Sequence, residues 1–149
     1  MDELFHNRLL WTTVIASLVA QGLKVVLALF TESPAKAFSR VLETGGMPSA
    51  HSAAVSALAT GVGLTHGWGS PFFALSAVFG YIVIYDATGI RRHAGMHAAL
   101  LNRLMHELRH LMDEDVVPRE ALKTLLGHTY PQVLMGIILG IAIGAVSFR

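Results

Sequence analysis

The run Thr44-Gly-Gly-Met-Pro-Ser-Ala-His51-Ser52 holds the chain's densest chemistry. A glycine turn leads into Pro-Ser-x-His and then into an apolar segment. Glycines let a backbone come close to a ligand. The first amides of a helix lack intrahelical partners and can donate to an anion. Ser49 reads as the N-cap of that helix. Together these features describe a phosphate cradle at a helix start, with the His51 imidazole beside it. The same residues also read as a well-capped helix start after a flexible turn.

His128 stands just before the last apolar segment. Thr129-x-x-Gln132 follows it and has the spacing of a capping box. Lys24 interrupts the first apolar segment and Asp86 closes the third. Ionisable groups at such positions are costly and usually functional. Lys24 can instead snorkel to the headgroups. Asp86 can orient His128 or pair with Arg91 or Arg92. The two adjacent arginines suit a bound phosphate or lipid headgroups at a membrane edge. A competing motif is His106-Glu107-Leu108-Arg109-His110, the His-Glu-x-x-His signature of zinc proteases. Two histidines one turn apart can chelate zinc, with Glu as base. No third ligand context follows it, although His128 is available. His93 and His97 repeat the spacing, so the pattern is common in this chain with its 8 histidines.

The elements that must position these groups are membrane helices. The chain has 149 residues, enough for one domain, 1–149; it is 53% hydrophobic and 14% charged. Soluble domains carry about 25% charged residues. No Asp, Glu, Lys or Arg occurs in 44–85 or 124–148, and such stretches are long enough to cross a bilayer. Four spans are expected, at about 9–30, 49–65, 72–85 and 131–148. Between the last two, Leu101, Leu104, Met105, Leu108, Leu111 and Met112 follow helical spacing with polar residues opposite. An amphipathic helix is expected there, on the membrane or packed over the spans. A short helix is expected from Pro118 to Gly127. Residues 1–8 lack a basic, signal-peptide-like start, so the first apolar segment is expected to be retained. With no cysteine, disulfides and thiol catalysis are excluded. The net charge of +1 gives no basis for a nucleic-acid partner.

Four spans place Arg8 and Arg149 on one side and eight Lys or Arg residues on the other. The positive-inside rule makes the second side cytoplasmic, and it carries the glycine turn and 86–130. Gly136, Gly140 and Gly144 recur at four-residue spacing, as do Ala57 and Gly61. These are close-packing surfaces within the subunit or in a homodimer.

His128-x-x-x-Gln132-Val133-x-x-Gly136-x-x-Leu139-Gly140 resembles the last motif of the type 2 phosphatidic acid phosphatases, relatives of vanadium haloperoxidases. Pro48-Ser49-Ala50-His51 is similar to their Pro-Ser-Gly-His. Thr-Gly-Gly-Met-Pro-Ser-x-His-Ser, followed by Tyr-Asp-Ala-x-Gly-x-Arg-Arg, looks closer still to a divergent branch of that superfamily. The resemblance covers about residues 24–140. It implies an all-α integral membrane bundle that hydrolyses a lipid phosphate or isoprenyl diphosphate through a phosphohistidine, without a cofactor. His128 would be the nucleophile and His51 the general acid. Gly46, Ser49 and Ser52 would hold phosphate oxygens, with Lys24 and Arg40, Arg91 or Arg92 as cations. Gln132 replaces the family's orienting Asp, leaving Asp86 as a possible orienter. The family's Ser-Arg falls on Ala121-Leu122 and is missing, and its Lys-x6-Arg-Pro is broken after Lys24. Those departures keep a non-catalytic phosphate- or lipid-binding relative, or a transporter, as the alternative. The zinc protease is a more distant one.

Overall fold

A computed structural model of the chain describes residues 2–30, 33–34, 37, 45–108, 121–122, 124 and 126–149. Among these residues there are helices and no strand. The helices are α1 (Asp2–Phe5), α2 (Arg8–Leu29), α3 (Ala50–His66), α4 (Pro71–Thr88), α5 (Ile90–Leu108) and α6 (Tyr130–Ser147).

Local chemistry sets several starts. The Asn7 side chain accepts from the Leu10 N–H at the start of α2. Ser49 caps α3, accepting from Ser52 N–H at 3.3 Å. Ser70 caps α4, with Pro71 in the first turn. Each cap supplies an acceptor to an amide the helix leaves unpaired.

α3 is the central helix and packs against α2, α4 and, most extensively, α6. Small side chains make those approaches possible. Along α2 the buried residues recur every fourth position: Thr12, Ala16, Ala20, Lys24 and Ala28. Along α6, Gly136, Gly140 and Gly144 are buried against α3. A Cβ on Gly144 would stand 2.9 Å from Thr60 Cβ and 3.0 Å from the Ala57 carbonyl oxygen. Large apolar residues such as Leu18, Phe72, Leu75 and Val146 point outward. Lipid tails are as apolar as leucine, so close packing of small residues holds such helices together. The glycine stripe is therefore filled inside the chain by α3, the within-subunit alternative of the two the spacing allows.

Three helical stretches among the described residues are long and apolar enough to cross a membrane: Arg8–Leu29, Pro71–Leu108 and Tyr130–Ser147. The second expected span is α3, which has 17 residues and is enclosed by its neighbours. The third continues past Tyr85 to Thr88, and α5 begins one residue later, after Gly89. The amphipathic helix therefore starts at Ile90, earlier than the leucine pattern indicates.

The expected helix at 118–127 is not formed in its described part, residues 121, 122, 124, 126 and 127. The Asn102 side chain takes both backbone groups of Leu122: its Nδ2 donates to the carbonyl and its Oδ1 accepts from the N–H, each at 2.9 Å. That pairing, made to α5, satisfies backbone groups a helix would have satisfied internally. Gly95 lets the segment come close, because a Cβ there would lie 2.7 Å from the Thr124 carbonyl oxygen.

Candidate phosphate site at one end of the bundle

Two long-range backbone hydrogen bonds assemble the site. Ser49 N–H donates to the Gln132 carbonyl at 3.0 Å, joining the start of α3 to the start of α6. His128 N–H donates to the Ala87 carbonyl at 2.9 Å, joining the approach to α6 to the end of α4. Together they bring His51 and His128 from 77 positions apart in sequence to a ring-centroid separation of 6.4 Å, with the planes at 61°.

Two glycines shape the turns. Gly46 has φ +92°, and a Cβ on it would stand 3.1 Å from Lys24 Cδ. The turn thus rides directly over the Lys24 side chain, in a backbone region that favours glycine. Lys24 is 4% exposed. The next peptide bond but one along this turn, Met47–Pro48, is cis. Gly127 has φ +79°, and a Cβ there would meet the backbone of Arg92.

His128 is 3% exposed, and its Nδ1 is buried with no hydrogen-bond partner among the described residues. Gln132 lies beside the ring but does not fill that role. Its Oε1 accepts from Thr129 N–H at 3.0 Å, the return half of a capping box. Burial pushes the His128 pKa below the ordinary imidazole value of 6.5, because charge is costly away from water. The Gln132 side chain and Gly46 backbone favour the charged ring and oppose that shift, while the charges of Lys24 and His51 add to it. The resting ring at neutral pH is therefore the uncharged imidazole, the nucleophilic form.

The neighbouring arginines diverge. Arg91 Nε pairs with Asp86 Oδ2 at 2.5 Å. Asp86 is thus bonded to an arginine, and its charge acts on His51 together with those of Arg91 and Lys24. Arg92 instead lines a cavity of ≈ 310 Å³. Gly45, Gly46, His128, Thr129 and Gln132 share its wall with Gly95, Met96, Ala99, Thr124, Leu126 and Gly127. His51 and Lys24 are not part of that wall, and neither are Ser49 and Ser52. Both serines are fully buried, and the Ser52 hydroxyl lies 3.0 Å from the Ser49 hydroxyl. Their oxygens serve the α3 cap.

Arg40 and His110 lie outside the described residues. His106 is exposed on α5. Among the described residues no three His, Asp or Glu side chains are grouped to hold a metal ion. Beyond Arg92, sequence reasoning missed the α5 contribution to the cavity, and it missed the Asn102 clamp. The available signal was Gly127 immediately before His128, a glycine placed for a close turn rather than a helix end.

The chain matches the divergent PAP2 family over residues 5–143 and belongs to that family. It is also 41% identical to the uncharacterized membrane protein YuiD of Bacillus subtilis (strain 168), across 97% of this chain and 96% of that protein. No solved structure matches. The chain is thus a helical membrane protein of the divergent PAP2 family.

Proposed function

We propose that the protein hydrolyses a lipid phosphate or isoprenyl diphosphate through a phosphohistidine on His128. The observation that carries this reading is the approach of two imidazoles, 6.4 Å between centroids, at the glycine turn. A phosphoryl group between them has a nucleophile on one side and a proton donor on the other. A neutral His128 nitrogen attacks phosphorus as the P–O bond to the lipid breaks. Protonated His51 gives its proton to the leaving oxygen. Water then attacks the phosphohistidine, His51 takes a proton from it, and phosphate leaves with His128 restored. Lys24 and Arg92 stabilise the charge on the transferring group, with Arg40 as a further candidate, and the backbone amides of the glycine turn contribute donors. Arg91 and Asp86 set the field around His51. No metal takes part. The Lys and Arg distribution supports a site on the cytoplasmic face of the cell membrane.

A second reading, a phosphate- or lipid-binding relative without turnover, is favoured by one observation. His128 Nδ1 is buried without a hydrogen-bond partner among the described residues, and the Gln132 oxygen accepts from Thr129 N–H. The two readings separate on purified protein given lipid phosphates and isoprenyl diphosphates, with and without chelator. Phosphatase action requires chelator-resistant phosphate release that His128→Ala abolishes. Vanadate copies the transition-state geometry, so an enzyme binds it more tightly than phosphate. His51→Ala should slow turnover and spare most vanadate binding. Weak, equal binding of vanadate and phosphate with no turnover would favour the binding protein.

A further inference from the structure

The cavity beside His128 is larger than a phosphate needs. At about 30 Å³ per water-sized group, its ≈ 310 Å³ holds roughly ten such groups. Four phosphate oxygens fill fewer than half of them, which leaves space for about six carbons. The cavity is also polarised. α5 and the segment before α6 run in opposite directions along it: Arg92 lies against Gly127, Gly95 against Thr124, and Asn102 against Leu122. Arg92 therefore stands at the His128 end. Ala99 is seven residues further along α5, about 10 Å at the rise of a helix. Met96 and Ala99 give the α5 wall beyond Arg92 an apolar character, with Leu126 beside Gly95 and Thr124 the polar residue there. A pocket with few polar groups at one end and apolar side chains beyond suits a ligand with a charged head and an apolar body.

We infer that this part of the cavity is a chain groove, which takes about the first six carbons of a single alkyl or isoprenyl chain and whose capacity is set by Met96, Ala99 and Leu126. The inference rests on reading the His128 end as the phosphate site. The substrate class is then a lipid phosphate with one chain directly on the phosphate oxygen, since two chains branching close to the headgroup exceed the groove.

The test uses full-length protein in nanodiscs at low concentration and a series of alkyl monophosphates from ethyl to decyl. Apolar burial predicts that kcat/KM rises about two- to fourfold per carbon until the groove is full near six carbons, then levels. Ala99→Phe should lower the hexyl-to-ethyl ratio at least tenfold. Met96→Ala should move the plateau to longer chains, which keeps the test open if Ala99→Phe does not fold. Leu100→Phe, at an exposed α5 position outside the cavity wall, should keep the wild-type ratio. A flat chain-length profile, or a plateau that neither wall variant moves, overturns the groove. If the wild type hydrolyses none of the series, the phosphatase reading is tested apart from the groove, on isoprenyl diphosphates. An octyl phosphate carrying a mid-chain diazirine then decides the groove. Labelling at 92–99 or at Leu126, competed by vanadate, supports it, and labelling confined elsewhere overturns it.

Discussion

Gly140→Ala tests the contact that holds the two histidine-bearing elements together. A Cβ at Gly140 would run into the Ala53 carbonyl oxygen and stand 2.9 Å from Ser56 Cβ. The obstacle is backbone on a central helix, so α3 and α6 must separate. Overpacking by one carbon costs about 1–3 kcal/mol, and a backbone obstacle puts this case near the upper end. Alanine returns about 1 kcal/mol of helix propensity. The net expectation is a loss of about 2 kcal/mol, or about 4–8 °C in Tm for a chain of this length. Gly22→Ala is the matched control, because among the described residues nothing lies within 4 Å of a Cβ at that helical position. It should raise Tm by about 2–4 °C from propensity alone. Separation of α3 from α6 also moves His51 relative to His128, and a 1 Å misplacement can cost about 100-fold in rate. Thermal unfolding in a fixed detergent and phosphate release from a lipid phosphate read both effects. A Gly140→Ala protein as stable as wild type, or shifted upward like Gly22→Ala, would refute the close packing of α6 on α3.

Arg92→Ala should weaken vanadate capture by about tenfold or more, whereas Arg91→Ala, which breaks the exposed pair with Asp86, should have a smaller effect; equal losses would remove the division of roles between the two arginines. Gln132→Asp offers the buried His128 Nδ1 a carboxylate and also suits the first turn of a helix, so turnover should rise at unchanged Tm, while unchanged turnover would leave Gln132 as a cap alone. Because the His128 pKa lies below 6.5, the unfolded chain binds that proton first as pH falls. Its contribution to stability is therefore full above 6.5 and is lost as pH drops through and below 6.5. The acid limb of His128-dependent turnover should likewise lie below 6.5, and a limb at or above 6.5 in kcat/KM would contradict the burial effect. Asn102→Ala should free the 121–127 segment from α5, seen as faster amide exchange at Leu122, and unchanged protection there would refute the clamp.

Much of this protein is legible along its sequence because the signals are local. Uncharged apolar stretches mark membrane helices whatever they pack against. Ser49 marks the start of α3 because an N-cap needs only the next three residues. His51 and His128 stand out because each adjoins a helix start. Their meeting is a different matter. It depends on hydrogen bonds between Ser49 and Gln132 and between His128 and Ala87, far apart along the chain. Backbone amides look alike in any sequence, so spacing does not reveal which ones pair.

The same distinction explains the differences. Arg91 and Arg92 are adjacent letters of the same type, but successive helical residues point about 100° apart. One therefore meets Asp86 and the other the cavity. The spacing of Gly136, Gly140 and Gly144 specifies a surface for close approach but not its occupant, and α3 occupies it. Residues 118–127 have an acceptable helical pattern, yet Asn102 pairs with Leu122, and Thr124 and Leu126 lie against Gly95 of α5. The sequence by itself determined the membrane helices, the Ser49 and Thr129 caps and the reactive groups, because these follow from nearest neighbours. Only the tertiary structure decided which groups face one another and how much room lies beside them, because those depend on contacts that close long loops of chain.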